Sequence, residues 1–126
     1  MARLLLDTHV LLWSLDDSPV LSRRLRSQLE DPENDVFVSA ASGWEIAVKR
    51  ALGKLRAPDD LEGSVREQGF ALLPITFHHA EQAGALPPHH GDPFDRMLIA
   101  QAQIEGLVLV TRDARVRLYG VRTMTA

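Results

Sequence analysis

The sequence has no cysteine, which excludes disulfides, thiolate zinc sites and cysteine nucleophiles together and fits a reducing compartment. It has no long hydrophobic run. The opening MARLLLDTHV offers three consecutive leucines before an aspartate, far short of a signal-peptide core or of the roughly 20 apolar residues that span a membrane. It also lacks a basic excess: the formal net charge is -3, which argues against coating nucleic acid by bulk electrostatics. A soluble, cytoplasmic protein with no membrane contact is the expectation. What is present is a chain of 126 residues, 45% of them hydrophobic, the size of one domain spanning residues 1–126 with a single substantial core.

Charge placement says more than the sum. Eleven of the 14 basic residues fall in three groups: Arg23, Arg24 and Arg26; Lys49, Arg50, Lys54 and Arg56; and Arg112, Arg115, Arg117 and Arg122. Each group taken alone reads as a solvated helix face.

Along the chain, apolar runs alternate with helical patterns. Residues 3–6 (RLLL), 36–39 (VFVS), 70–75 (FALLPI), 107–111 (LVLVT) and 121–124 (VRTM) read as short strands. Helical segments open at Ser18-Pro19, at Ser39 or Ser42, at Pro58, at Thr76 and at Asp92. They stop near Asp31, Gly53, Gly69, Leu86 and Gly106 respectively. Strands alternating with helices predict an α/β sandwich around a parallel sheet. There is no internal repeat, low-complexity stretch or linker; the longest turn-like loop is residues 86–91, LPPHHG.

Four acids stand out on that scaffold. Asp7 ends the first strand in LLLDTH and Asp113 follows the fourth in LVLVTRD, both at carboxyl ends of predicted parallel strands, where open α/β sheets bind ligands. Glu45 lies early in the helix after VFVS. Asp95 lies in the first turn of the helix in HHGDPFDRMLIAQA, and default crossover topology places it at the opposite edge. Its convergence with the others is not derivable from spacing.

Each acid also has a structural reading. Asp7 can cap a helix at Thr8 or His9, Asp113 can cap the DARVRLYG segment, Ser42-Gly43-Trp44-Glu45 has the form of a capping box, and Asp92-Pro93 is an N-cap with proline at the first helical position. Carboxylates ending buried strands nevertheless repel one another unless a cation or shared protons compensate. Oxygen ligands with no cysteine nearby point to Mg²⁺, which Mn²⁺ can replace.

In order, LLLDTHVLLW, SGWEIAVK, HHGDPFDRMLIAQA and LVLVTRD resemble the motifs of PIN-domain proteins, and especially VapC-type toxins of bacterial toxin–antitoxin pairs. The resemblance runs from Leu4 to about Thr123. It implies a PIN-like three-layer α/β/α sandwich with a central mainly parallel sheet and a divalent-metal pocket of four acids. Carried over position by position, those acids are Asp7, Glu45, Asp95 and Asp113, both catalytic and metal-binding. Asp92 falls to capping or an outer supporting role, and Thr111 matches a hydroxyl that orients a carboxylate or water. The implied activity is metal-dependent hydrolysis of RNA phosphodiesters to a 5′-phosphate and a 3′-hydroxyl, with a small cognate antitoxin as inhibitor and a homodimer as assembly. Because an acidic pocket repels a polyanion, nearby cations must hold the RNA, with Arg112 and Arg96 as candidates.

Other readings compete. A haloacid-dehalogenase-like phosphatase also begins with an aspartate after a hydrophobic strand, but it needs a second aspartate two residues on, where this chain has His9. A PIN-like binding module without catalysis is the remaining alternative. His78-His79 and His89-His90 are weak zinc ligands, because adjacent side chains point apart and no thiolate completes a set; a solvated helix and loop account for them. Trp13 and Trp44 sit in apolar patterns and read as core or interface. So do Val10, Leu11 and Leu12.

Overall fold

The structure, a computed structural model, describes residues 1–126. Three leucines in RLLL are fully buried, and a continuous apolar run is what a strand covered on both faces requires. That strand, β1 (Arg3–Leu6), is the centre of the sheet. The others are β2 (Asp35–Ser39), β3 (Ala71–Leu73), β4 (Val108–Thr111) and β5 (Thr123–Thr125), in the order β3-β2-β1-β4-β5 with every pairing parallel. Leu4 and Leu6 point to one face and Leu5 to the other, as the two-residue period dictates. Each buried leucine side chain contributes about 2 kcal/mol.

Helices cover both faces. The chain supplies α1 (Thr8–Leu15), α2 (Arg23–Glu30), α3 (Ala40–Ala51), α4 (Leu61–Glu67), α5 (Phe77–Ala85) and α6 (Pro93–Glu105). Val10 and Leu11 of α1, Leu25 and Leu29 of α2 and Val65 of α4 pack with Leu4 and Leu6. Ala83 of α5, Leu98 and Ile99 of α6, and Val116 and Tyr119 of a 3₁₀ turn (Ala114–Tyr119) pack with Leu5. This is the expected three-layer sandwich. It also assigns Val10 and Leu11 to the core, so they are not an interface.

Two helix starts differ from expectation, and a third falls on one of its two candidates. Helix α4 is capped by Asp60 and not opened at Pro58. Ser18 is not a cap: its hydroxyl accepts from Val20 N–H within a turn, and Ser22 caps α2 through Leu25 N–H. Ser39 caps α3, so the capping box expected of Ser42 and Glu45 does not form.

The edge at which α6 begins also differs from expectation. An additional helix, α5, lies between β3 and α6 and runs antiparallel to α6. His79 near the start of α5 meets Glu105 at the end of α6 (2.8 Å), while Arg96 near the start of α6 reaches the carbonyls of Ala83 and Leu86. The end of α6 meets Arg3, whose guanidinium donates to the Glu105 carbonyl (2.8 Å). Helix α6 therefore starts at the carboxyl edge of the sheet and runs back toward the start of β1. Gly106, at φ 68°, ends it in the left-handed conformation that glycine adopts without a Cβ penalty.

Candidate active site

Asp7 is held at both oxygens. Oδ1 caps α1 by accepting from Val10 N–H (2.8 Å), and Oδ2 accepts from the Thr111 hydroxyl (2.6 Å). The structural reading of Asp7 as a cap is thus correct, and it leaves the carboxylate at the mouth of the sheet. Burial pushes its pKa above the usual aspartate value, against the opposing pull of the Thr111 and Val10 hydrogen bonds.

Glu45 lies well inside α3 and is almost fully buried. A buried carboxylate needs partners, and it has two: the Thr8 hydroxyl donates to Oε1 (2.6 Å) and Lys49, one turn on, donates to Oε2 (2.5 Å). The Glu45 carboxylate raises the Lys49 pKa through that hydrogen bond. Thr8 and Lys49 were not singled out in the sequence. Their signals were adjacency to Asp7 and the i,i+4 spacing from Glu45.

Asp95 enters from the first turn of α6, and Asp92 caps that helix by accepting from the N–H groups of Phe94 and Asp95. The Asp95 pKa is pushed up to about 6, first by burial and then by the charges of Asp92, Asp7 and Glu45; His90 opposes them. Asp113 caps the 3₁₀ turn through Arg115 N–H (2.9 Å), and the Arg115 guanidinium grips both its oxygens at 2.8 to 3.2 Å. That pairing holds the Asp113 carboxyl below its usual range.

The four acids meet at the carboxyl edge of the sheet. Asp95 feels the charges of Asp7 and Glu45, and its carboxylate and that of Asp113 lie with an imidazole nitrogen of His90 in a group of donor atoms all within 4.8 Å of one another. His90 differs from the solvated loop residue its sequence context predicts. In the structure its side chain is only 3% exposed and its Nε2 has no hydrogen-bond partner. Neighbouring histidines do point apart: His89 is exposed and His90 is turned inward. His79 is also buried, with Nδ1 accepting from Thr76 N–H and Nε2 paired with Glu105, so it serves the α5–α6 contact.

Two cations expected to face substrate are committed elsewhere. The Arg96 guanidinium donates to four carbonyls, those of Ala83, Leu86, Pro87 and His90, and so clamps the loop before α6. Arg112 lies over the Trp13 ring (4.9 Å to the centroid) and donates to the carbonyls of Val20 and Ala126. Trp44 is no core residue: it is 62% exposed and meets Phe94 edge-on at 5.1 Å. His9 is exposed and lies 6.1 Å from the Trp13 ring.

Asp7 and Asp95, partly desolvated carboxylates of raised pKa, lie with Glu45, Asp113 and a buried nitrogen left without a partner, a cluster short of positive charge at its centre. That donor set fits a divalent cation. A profile of the PIN domain matches residues 4–121. The chain belongs to the PIN-domain family. Ribonuclease VapC22 of Mycobacterium tuberculosis is 34% identical to this PIN domain over 125 residues, covering 93% of this chain and 92% of the relative. Ribonuclease VapC16 of the same organism is 37% identical over 60 residues, covering 46% and 43%. The near end-to-end match makes this PIN domain one of the VapC type. Among solved structures, DNA-bound VapBC from Salmonella typhimurium aligns with a TM-score of 0.70 at 20% identity over 99% of this chain and 98% of that one. FitAcB from Neisseria gonorrhoeae aligns with a TM-score of 0.65 at 21% identity over 96% of each. At those identities the two structures carry the fold alone. Membership of this family removes the phosphatase reading.

Proposed function

We propose that this PIN domain, residues 1–126 as one unit, is a divalent-metal-dependent endoribonuclease and the toxin of a cytoplasmic toxin–antitoxin pair. Mg²⁺ is the proposed ion, with Mn²⁺ able to replace it, and Asp7, Glu45, Asp95 and Asp113 are the proposed ligands and catalytic groups. The observation that carries the reading is the arrival of four carboxylates from four separate elements at one strand edge, with Asp95 made hard to ionise by burial and by its neighbours. The end-to-end likeness to a ribonuclease supports it.

When bound, the ion acidifies a water and offsets charge on the scissile phosphate. The side chains do the rest. Asp7 is fixed by Thr111 and Val10, so its orientation costs nothing at the moment of reaction. Glu45, fixed by Thr8, orients the attacking water and takes its proton. The water oxygen bonds to phosphorus, the bond to the 3′-oxygen breaks, and that oxygen leaves with a proton as the 3′-hydroxyl; the 5′-phosphate stays on the downstream fragment. Arg96 and Arg112 are committed to backbone carbonyls away from the acids, whereas Arg115 and Lys49 pair with the pocket's own Asp113 and Glu45; these two are the proposed phosphate contacts.

A small antitoxin covering the pocket completes the reading. Trp44 and Val48 on α3 and Leu52 at its C-cap are exposed at i, i+4 and i+8 beside Glu45, an apolar stripe that suits a partner segment laid across the site. A homodimer is proposed from the resemblance alone.

The deciding experiment incubates antitoxin-free protein with structured RNA in Mg²⁺ or Mn²⁺, with and without chelator, beside Asp95→Asn. Metal-dependent cleavage that disappears in the variant is expected. Absence of both cleavage and metal binding moves the assignment to a binding module without catalysis.

A further inference from the structure

The loop that leads into α6 is built to deliver one imidazole. Arg96 ties down four of the surrounding carbonyls, including that of His90. Tyr119, the one tyrosine in the chain, fixes the ring from the other side: its Oη lies 3.0 Å from His90 Nδ1 and accepts from His90 N–H at 3.1 Å. With Nδ1 engaged, Nε2 is the remaining polar atom of the ring. It is buried and unpartnered, and it lies 3.9 Å from Asp95 Oδ2, beyond hydrogen-bond reach. With Asp113, the three donor atoms fit within 4.8 Å of one another.

In the tautomer whose Nδ1–H donates to Tyr119 Oη, Nε2 turns a lone pair toward two carboxylates, an unfavourable arrangement in a protein alone. It is favourable around a cation. Ligand bonds of about 2.1 Å place neighbouring donors about 3 Å apart and opposite donors about 4 Å apart, the scale of the separation seen here. The partner on Nδ1 also matches how ligating histidines are held, with the second ring nitrogen hydrogen-bonded so that tautomer and orientation are fixed. Asp7 and Glu45 differ in kind: their oxygens are already engaged by Thr111, Val10, Thr8 and Lys49. Asp113 is held by Arg115, whose side chain is 59% exposed, so a cation can compete for that carboxylate without breaking a buried contact.

We infer that His90 Nε2 is a metal ligand, forming with Asp95 and Asp113 a nitrogen-and-oxygen site that shifts the preference of this pocket from Mg²⁺ toward Mn²⁺. The shift follows because imidazole suits transition ions, whereas Mg²⁺ takes oxygen donors. The inference rests on the metal-dependent reading above, which predicts the ion but not the nitrogen.

The test uses Mn²⁺ alone, without RNA. Pulsed electron paramagnetic resonance of the Mn²⁺-loaded wild type is expected to show the modulation of a directly bound imidazole nitrogen. His90→Gln is expected to lose that signal and to bind Mn²⁺ at least about 10-fold more weakly, with Mg²⁺ affinity changing less than about 3-fold. His89→Gln is expected to keep the signal. Bound Mn²⁺ without nitrogen modulation in the wild type overturns the inference even if His90→Gln does not fold, and so does loss of modulation in His89→Gln. If cleavage remains metal-dependent in that case, only the His90 assignment falls; if wild type binds no Mn²⁺, both readings fall.

Discussion

The Thr111 hydroxyl donates to Asp7 Oδ2 at 2.6 Å across 104 positions of sequence, and the same oxygen accepts the N–H of Asp113 at 3.1 Å. One side chain at the end of β4 thus sets the carboxylate at the end of β1 and the backbone that carries Asp113. Thr111→Val keeps the shape and removes both contacts. Cleavage is expected to fall about 10-fold or more, as for other residues that orient metal ligands. Stability falls by about 1 to 2 kcal/mol, the usual cost of a lost buried hydrogen bond. Thr111→Ser retains the hydroxyl and is expected to restore most of both. Equal rates for the valine and serine variants remove Thr111 from any orienting role.

Asp95→Asn separates stability from activity. In the metal-free protein at neutral pH the ionised Asp95 is opposed by burial and by Asp92, Asp7 and Glu45. Removing that charge is expected to raise the Tm by on the order of 5 °C while cleavage disappears. A lower Tm at neutral pH contradicts the electrostatic account of the pocket.

The same carboxyl gives a pH dependence of known sign. Its folded pKa of about 6 lies above the ordinary aspartate value of 3.8, so between those values the folded state binds more protons than the unfolded state. The cost of ionising it is fully present above about pH 6 and fades as pH falls toward 4. That cost is on the order of 2 kcal/mol after discounting for its partial exposure. Asp7 is shifted in the same direction. Metal binding must therefore displace a proton near pH 5.5 and almost none near pH 8. Calorimetric titration with Mn²⁺ in buffers of different ionisation enthalpy checks this; proton release that does not change with pH contradicts it.

Arg115 holds Asp113 in the metal-free arrangement, so guanidinium and metal compete for one carboxylate. Arg115→Ala is expected to bind Mn²⁺ several-fold more tightly. It is also expected to need more RNA for half-maximal cleavage, with the salt dependence of RNA binding reduced by about one charge. Unchanged metal affinity and unchanged salt dependence together exclude it from the rim.

Arg96→Lys distinguishes a clamp from a phosphate contact. A lysine keeps the charge but cannot make the planar set of bonds to four carbonyls. Stability is expected to drop by about 2 to 3 kcal/mol, with no change in the salt dependence of RNA binding. A folded variant of wild-type stability that binds RNA with a different salt slope returns Arg96 to the substrate.

The sheet was legible because buried parallel strands are written as apolar runs, and RLLL, VFVS and LVLVT are unambiguous. Helix α6 was legible from Asp92-Pro93 at one end and Gly106 at the other. The start of α2 was not, because Ser18 satisfies a turn as readily as a helix. Asp95 reaches that edge because α6 packs antiparallel to α5, held by His79–Glu105 and Arg96–Ala83, pairs 26 and 13 positions apart that meet only on folding. Inward arginines and a buried histidine are tertiary outcomes. Arg96 reads in sequence as a surface cation, and His90 reads like His89.

The order of the sheet has a consequence in time. Strand β1 lies between β2 and β4, and Thr111 follows Asp7 by 104 positions, so the first acid is made well before the residue that orients it. Pairings so distant along the chain form slowly. A chain that has not yet reached β4 carries the first acid without the strand that orients it, so the growing polypeptide has no assembled pocket.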